Sequence, residues 1–281
     1  MRIWRRLSVA GKLNMILAVA LLLAIGGSAL VTSHLARKEI EAKSLDELRK
    51  INQLVSTLLG SYNDAQRSSA ERMRQVFASQ HEGTYTLRTT PGGEPELLRN
   101  GVPQNGNFES VDRFARNVGV VSTLFVRTGD DFKRVATSLK KEDGTRAVGT
   151  MLGDKHPAHA ALLRGDSYTG PARLFGRDYM ASYYPLRDAT GRVVGAAFVG
   201  LDFTDSLKAL KAQILALKVG TTGYVYAFDS GSNPGMLTIH PAKEGSSLID
   251  AKDANGNFFV RDMLAKGSGV IHYDWKNPGE P

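Results

Sequence analysis

The chain has 281 residues, with 36 basic and 28 acidic side chains, a formal net charge of +8 and no cysteine. The missing cysteines exclude disulfides, thiol catalysis and cysteine-ligated metal sites. Arg2, Arg5, Arg6, Lys12 and Arg37 hold five of the basic charges, leaving 31 basic against 28 acidic residues elsewhere, so the basic balance is a membrane-orientation signal and not a nucleic-acid footprint.

Residues 1–12 carry basic side chains without an acidic one and read as a cytoplasmic N-terminus. Residues 13–36, Leu13 to Ala36, are an uncharged run of 24 residues, and a transmembrane helix needs about 20. The basic excess ahead of it puts the N-terminus inside and Leu35 onward outside, which makes membrane lipid the first partner. The alternative is a cleaved signal peptide with Gly27-Ser28-Ala29 as the cleavage site. The apolar stretch exceeds the ~7–15 residues of a signal core and runs straight into a helical pattern, which favours a retained anchor.

Residues 37–82 predict one long stalk helix, ended by His81-Glu82-Gly83. Leu45, Leu48, Val55, Leu59, Tyr62, Met73 and Val76 fall on one face, with Asn52, Gln66 and Ser69 as polar interruptions and Ile51, Leu54 and Leu58 widening the stripe. A stalk paired with its twin in a homodimer fits the stripe. A helix packed along its own domain fits it too, and the interruptions weigh against a continuous coiled coil.

Residues 83–204 read as a first module. Thr84–Arg88 is β-prone, Pro91-Gly92-Gly93 and Pro95 mark a turn, and Asn100 to Gly106 is irregular. Ser110 is a candidate cap for a helix over Val111–Asn117, stopped by Gly119. Val120–Arg127 and Phe132–Thr137 flank Thr128-Gly129-Asp130-Asp131 as a hairpin. Lys140 to Gly144 is a turn, Pro157–Leu163 a short helix closed by Gly165, and Tyr179–Leu186 and Val193–Phe203 two more strands.

Residues 205–218 continue as a linking helix, with Leu207, Leu210, Ile214 and Leu217 on one face. Residues 219–281 form a second module: strands Gly223–Asp229 and Met236–His240, a turn at Asp253 to Gly256, a helix over Asn257–Lys266 and a strand Val270–Trp275. The order repeats that of the first module. Thr123–Val126 lies 101 positions before Tyr224–Ala227, Leu163 lies 101 before Leu264, and Gly165 lies 102 before Gly267. That near-constant offset predicts two copies of one unit. The chain stops at Pro281 after an apparent strand and an Asn277-Pro278-Gly279 turn, and reads as the front portion of a longer protein with the second module truncated.

No phosphate-cradling glycine loop, His-Glu-x-x-His pair or nucleophile elbow occurs. His156 and His159, around Pro157, read as a helix start and not as a metal site. Asp253-x-Asn255-Gly256 reads as a plain turn and not a calcium loop, because Ala251 stands where the first carboxylate belongs. The remaining constellation interleaves Arg127, Arg134, Lys140, Arg146, Arg173 and Arg177 with Tyr168, Tyr179, Tyr183 and Tyr184. Guanidinium groups bind carboxylates at two points, and tyrosines supply a wall and a hydroxyl. On a small sheet these make a pocket for a small anionic or zwitterionic molecule. No catalytic constellation, cofactor or metal site is predicted, and an enzyme is not expected.

The stretches Val126–Leu139, Gly144–Thr150, His156-Pro157, Gly165–Gly170, Leu174–Tyr179 and Val199–Asp202 resemble the first half of a double Cache sensor region, the Cache_3–Cache_2 fusion. Gly223–Asp229, His240-Pro241, Asp253-x-Asn255-Gly256 and Tyr273-x-Trp275 resemble its second half. The lead-in Arg5 to Leu13 is similar to that of bacterial methyl-accepting chemotaxis proteins. The resemblance implies an α+β architecture. A transmembrane helix continues into a stalk that carries two PAS-like antiparallel-sheet modules, the first membrane-distal, the second membrane-proximal and incomplete. It implies a periplasmic, ligand-sensing part of an inner-membrane receptor for a small solute such as an organic acid or amino acid, with a cytoplasmic chemotaxis kinase and adaptor reached through a missing C-terminal region. A histidine kinase or diguanylate cyclase output stays open, as does a membrane-anchored exterior enzyme. Carried onto this chain, the pocket falls on Arg134, Ser138, Arg146, Tyr168, Tyr179 and Tyr183 in the first module and on Tyr226 and Asp229 in the second.

Overall fold

One helix, α1 (Val9–Gln80), is 72 residues long in the computed structural model, which describes residues 8–275. Arg2, Arg5 and Arg6 and the Asn277-Pro278-Gly279 turn lie outside the described residues. The first half of α1 presents Leu17, Leu21, Leu22, Leu23, Ile25 and Leu30 fully to the surroundings. It is the one stretch among the described residues long and apolar enough to cross a membrane. The apolar run and the stalk are therefore a single helix, with no break between them.

The chain forms two compact units, the segment up to Ser56 together with Leu215 onward, and Thr57–Ile214. In the Thr57–Ile214 unit, β1 (Tyr85–Thr89), β2 (Pro95–Arg99) and β3 (Val102–Pro103) make a small antiparallel meander. The turn expected at Pro91 to Pro95 is thus a hairpin, and part of the irregular stretch after it is strand. Pro95 is tolerated because it opens β2, where its missing N–H removes no central ladder bond. Helix α2 (Glu109–Val118) buries Val111 and Phe114. Its N-cap is Phe108, without a side-chain cap bond, so Ser110 does not cap it. Gly119 stops it at φ 76°, its N–H donating to the Ala115 carbonyl.

A five-stranded antiparallel sheet follows: β4 (Val121–Thr128), β5 (Asp131–Thr137), β6 (Tyr168–Leu174), β7 (Arg177–Arg187) and β8 (Val193–Asp202), ordered β5-β4-β8-β7-β6. Between β5 and β6 lie a returning segment and α3 (Pro157–Arg164), and α4 (Thr204–Leu215) leaves after β8. Strand β6 was not expected, because Gly170-Pro171 breaks the β pattern; as an edge strand it accommodates the proline. Alternation on the strands separates two cores. Leu124, Val126, Leu186, Val194, Ala197 and Val199 pack with Phe77 of α1 and Phe114 of α2. Phe125, Phe132, Ala181, Tyr183, Ala196 and Phe198 pack with Ala158 and Leu162 of α3.

In the other unit β9 (Lys218–Val219) pairs with β10 (Gly223–Tyr224), and β11 (Ala227–Phe228) with β12 (Leu237–Ile239), before α5 (Phe259–Lys266). The strands are shorter than expected. Val270–Trp275 is not a strand: among the described residues it accepts one backbone bond, from the Ala254 N–H to the Asp274 carbonyl, without forming a ladder, and Tyr273 stacks on Phe259 at 4.4 Å. The repeat is visible in the backbone bonds. Arg134 donates to Thr150, Gly149 to Arg134, and Leu152 to Phe132; Leu237 donates to Ser246, Gly245 to Leu237, and Leu248 to Gly235. The strand and the short helix are offset by about a hundred residues, as expected. The returning segment is offset by less, because the loop before it is shorter in the second copy.

Candidate functional site

The α3 face of the five-stranded sheet gathers the polar groups of interest. Arg134 leaves β5 toward this face and is 5% exposed. Its Nη1 donates to Thr150 Oγ1 at 2.5 Å, and its guanidinium lies 5.0 Å from the Phe125 ring centre. Its Nε is buried without a partner. Burial pushes the Arg134 pKa down, and no carboxylate is paired with it among the described residues. A buried guanidinium with an idle donor is costly unless an acceptor reaches it.

Tyr183, fully buried on β7, stands nearby, and the charge of Arg134 counters the burial that raises its pKa. Its hydroxyl lies 3.3 Å from His156 Nε2. His156 is the N-cap of α3, where its Nδ1 accepts from the Ala158 N–H at 3.1 Å. The neutral ring therefore carries its proton on Nε2 and donates it to Tyr183, whose own O–H proton is left to donate elsewhere. Burial and the Arg134 charge hold the His156 pKa down, in keeping with the neutral form. Tyr168 pairs across β6–β7 with Tyr183, and its ring sits 6.5 Å from His156. The Tyr168 hydroxyl occupies the space over Gly170, where a Cβ would lie 2.5 Å away. The result is an aromatic-walled group of donors around one buried cation.

The other expected residues are engaged elsewhere. Arg146 binds Asp112 at two points, 2.7 and 3.0 Å, donates to the Thr137 carbonyl and covers the Phe108 ring. Ser138 Oγ accepts from the Ser122 N–H. Tyr179 packs with Leu139 and Ala147. In the other unit, Asp229 accepts from the Gly231 and Asn233 N–H groups and so braces a turn. The Tyr226 hydroxyl reaches Met263 Sδ, and its ring borders a cleft of about 440 Å³ against the Leu45–Asn52 stretch of α1. Of the remaining arginines, Arg173 pairs with Asp178 and Arg177 with Asp202 and Asp205.

Sequence reasoning missed His156, Phe125 and Thr150 as members of this group. The available signal was His-Pro-Ala, which occurs twice. At His240-Pro241-Ala242 the imidazole again accepts from the backbone two residues on, and its Nε2 lies 3.4 Å from a tyrosine hydroxyl, that of Tyr224.

Residues 33–281 match the family model described as the Cache 3/Cache 2 fusion domain. No curated protein matches the chain closely enough to count as a relative. Among solved structures, similar chains include "Methyl-accepting Chemotaxis protein X", with 15% identity, TM-score 0.42, and 82% of this chain and 85% of that one covered. The ligand-binding domain of the Pseudomonas aeruginosa PAO1 amino-acid chemoreceptor PctC, in complex with GABA, has 18% identity, TM-score 0.37 and coverages of 72% and 80%. The periplasmic sensory domain of the Campylobacter jejuni chemoreceptor Tlp1 has 14% identity, TM-score 0.39 and coverages of 79% and 81%.

Proposed function

The chain belongs to the Cache 3/Cache 2 fusion family, and from that membership we propose the exterior sensory part of a membrane-anchored chemoreceptor whose first module binds a small solute beside Arg134. Membership points to a sensor and not to an enzyme. The observation that carries the site is the buried Arg134 guanidinium with an unpartnered Nε, walled by Phe125, Tyr168 and Tyr183. Residues 83–204 are the first module in this reading, 205–218 the link, and 219–281 the second module.

The uncharged run at 13–36 is the anchor, with the N-terminus in the cytoplasm and the modules in the periplasm. The basic residues ahead of the run and the exposed leucines within it support that topology. The exposed apolar residues Ile40, Leu48, Leu54 and Leu58 on α1 support a homodimer through the stalk. Output passes to a chemotaxis kinase and adaptor in the cytoplasm.

The test is a thermal-shift screen of the full chain in lipid nanodiscs against small acids, amino acids and amines. A hit that disappears in Arg134→Met while the variant still melts cooperatively supports the site. A hit that survives Arg134→Met places the ligand elsewhere and ends this reading.

A further inference from the structure

We propose that the Arg134 site selects a short monocarboxylate that carries no ammonium group; the inference rests on the reading of this site as the solute-binding one. The argument is an inventory of charge and hydrogen-bonding roles. A carboxylate arriving at Arg134 meets donors: the idle Nε, the Tyr183 O–H that His156 leaves free to donate, and the Tyr168 hydroxyl. An ammonium group brought with it would need acceptors, and preferably a negative charge.

Among the described residues, the elements facing the site offer no unpaired negative charge. Strand β4, helix α3 and strand β6 contain no acidic residue. Asp131 on β5 spends its carboxylate on the Phe132 and Gly153 N–H groups. Asp154 in the returning segment is exposed, and Asp178 at the start of β7 faces Arg173. His156 Nδ1 is occupied by the Ala158 N–H. The Tyr183 oxygen already accepts from His156 Nε2, and the Tyr168 hydroxyl, though it can accept, carries no negative charge. A zwitterion would therefore bury its cation without a counter-charge, next to the positive Arg134.

Charge number narrows the class further. One guanidinium balances one negative charge. Arg146 is held by Asp112 and Arg177 by Asp202 and Asp205, so neither of these arginines is free to balance a second charge on a dicarboxylate or a doubly charged phosphate. Phe125, Ala181, Ala196 and Phe198, fully buried around Arg134, are apolar and offer a tail no polar partner, which favours an aliphatic one.

Matched pairs test this on the full chain in nanodiscs by calorimetry and thermal shift: propionate with alanine, butyrate with 4-aminobutyrate, and inorganic phosphate alone. The expected result is binding of propionate or butyrate, at least tenfold weaker or absent binding of the ammonium partner, and loss of the signal in Arg134→Met. Arg134→Lys serves if the methionine variant does not fold; it keeps the charge, loses the planar fork, and is expected to weaken the carboxylate at least tenfold. Equal or tighter binding of alanine or 4-aminobutyrate, abolished by Arg134→Met, overturns the ligand class and leaves the site standing. Phosphate binding tighter than either carboxylate overturns the charge argument. No binding by any probe, or binding indifferent to Arg134, removes the site along with the class.

Discussion

Replacing Arg134 by methionine should silence the receptor without unfolding it, which separates a ligand-binding arginine from a structural one. In the native protein the guanidinium makes one hydrogen bond, to Thr150, and covers Phe125. A charge-assisted bond contributes about 1.5–3 kcal/mol, and a cation over an aromatic face about 0.5–2 kcal/mol. Against them stands the desolvation of a guanidinium with no counter-charge, several kcal/mol by the same order of reasoning. Methionine keeps the apolar stem, and Thr150 still donates to the Ala147 carbonyl, so no polar group is orphaned. The terms nearly cancel, and the net change should lie within about 1–2 kcal/mol of zero. For a unit of this size that is a melting shift of at most about 8 °C, in either direction. Differential scanning fluorimetry of the full chain without ligand measures it. A loss above about 3 kcal/mol would mean that the guanidinium holds the fold together, and the argument for an idle donor awaiting an anion would fail.

Arg146→Ala should behave oppositely: it breaks the two-point pair with Asp112 and leaves that half-buried carboxylate alone, costing about 1–2 kcal/mol in urea titrations while ligand affinity stays within about twofold. Gly195→Ala should destabilise by about 2–3 kcal/mol or more, because its Cβ would stand 2.3 Å from the Phe125 carbonyl oxygen, and that backbone cannot move without parting β4 from β8. A wild-type midpoint for this variant would refute the close approach. His81 is buried at the end of α1, and burial lowers its pKa to about 4. The unfolded chain binds its proton first, so this contribution to stability is complete above about pH 6.5 and is lost as pH falls toward 4. The loss should total about 3 kcal/mol. The difference in stability between wild type and His81→Phe should therefore change with pH only inside that window; a pH-independent difference would show that His81 does not titrate there.

The elements that sequence made legible are those whose pattern is local. The long helix, the β4–β5 hairpin and α3 with its glycine stop follow from apolar spacing and turn residues within a few positions of each other. The misses concern pairing. Prolines at Pro95 and Pro171 hid β2 and β6, because whether a proline is harmless depends on which edge of which sheet it meets. Val270–Trp275 has a strand's composition, but a strand exists only beside a partner. The site divides in the same way. Tyr179 and Tyr183 stand four positions apart on β7, a spacing that cannot tell that Tyr179 packs with Leu139 and Ala147. Arg134 and Arg146 look alike in sequence. Only the fold shows that Asp112, 34 positions before Arg146, neutralises one and that no carboxylate among the described residues pairs with the other.

The sheet that carries the site also carries the route out of it. Neighbouring residues on β4 and β8 point to opposite faces, so Phe125, Ala196 and Phe198 pack on the Arg134 side, while Leu124, Val126, Ala197 and Val199 pack on the side that receives Phe77 of α1. One layer of backbone would separate a ligand at Arg134 from the helix. Phe77 is itself locked between Phe114, with ring centres 4.8 Å apart, and His81 at 4.0 Å. A close-packed layer does not deform smoothly; it shifts between discrete packings. A carboxylate at Arg134 would favour whichever packing draws β5 and β7 together around it, and it can shift that balance only by the difference in its affinity for the two. A tenfold difference is about 1.4 kcal/mol. Because α1 continues without a break from Phe77 into its apolar run, a shift of that size at the sheet face would reach the same helix that is long and apolar enough to cross a membrane.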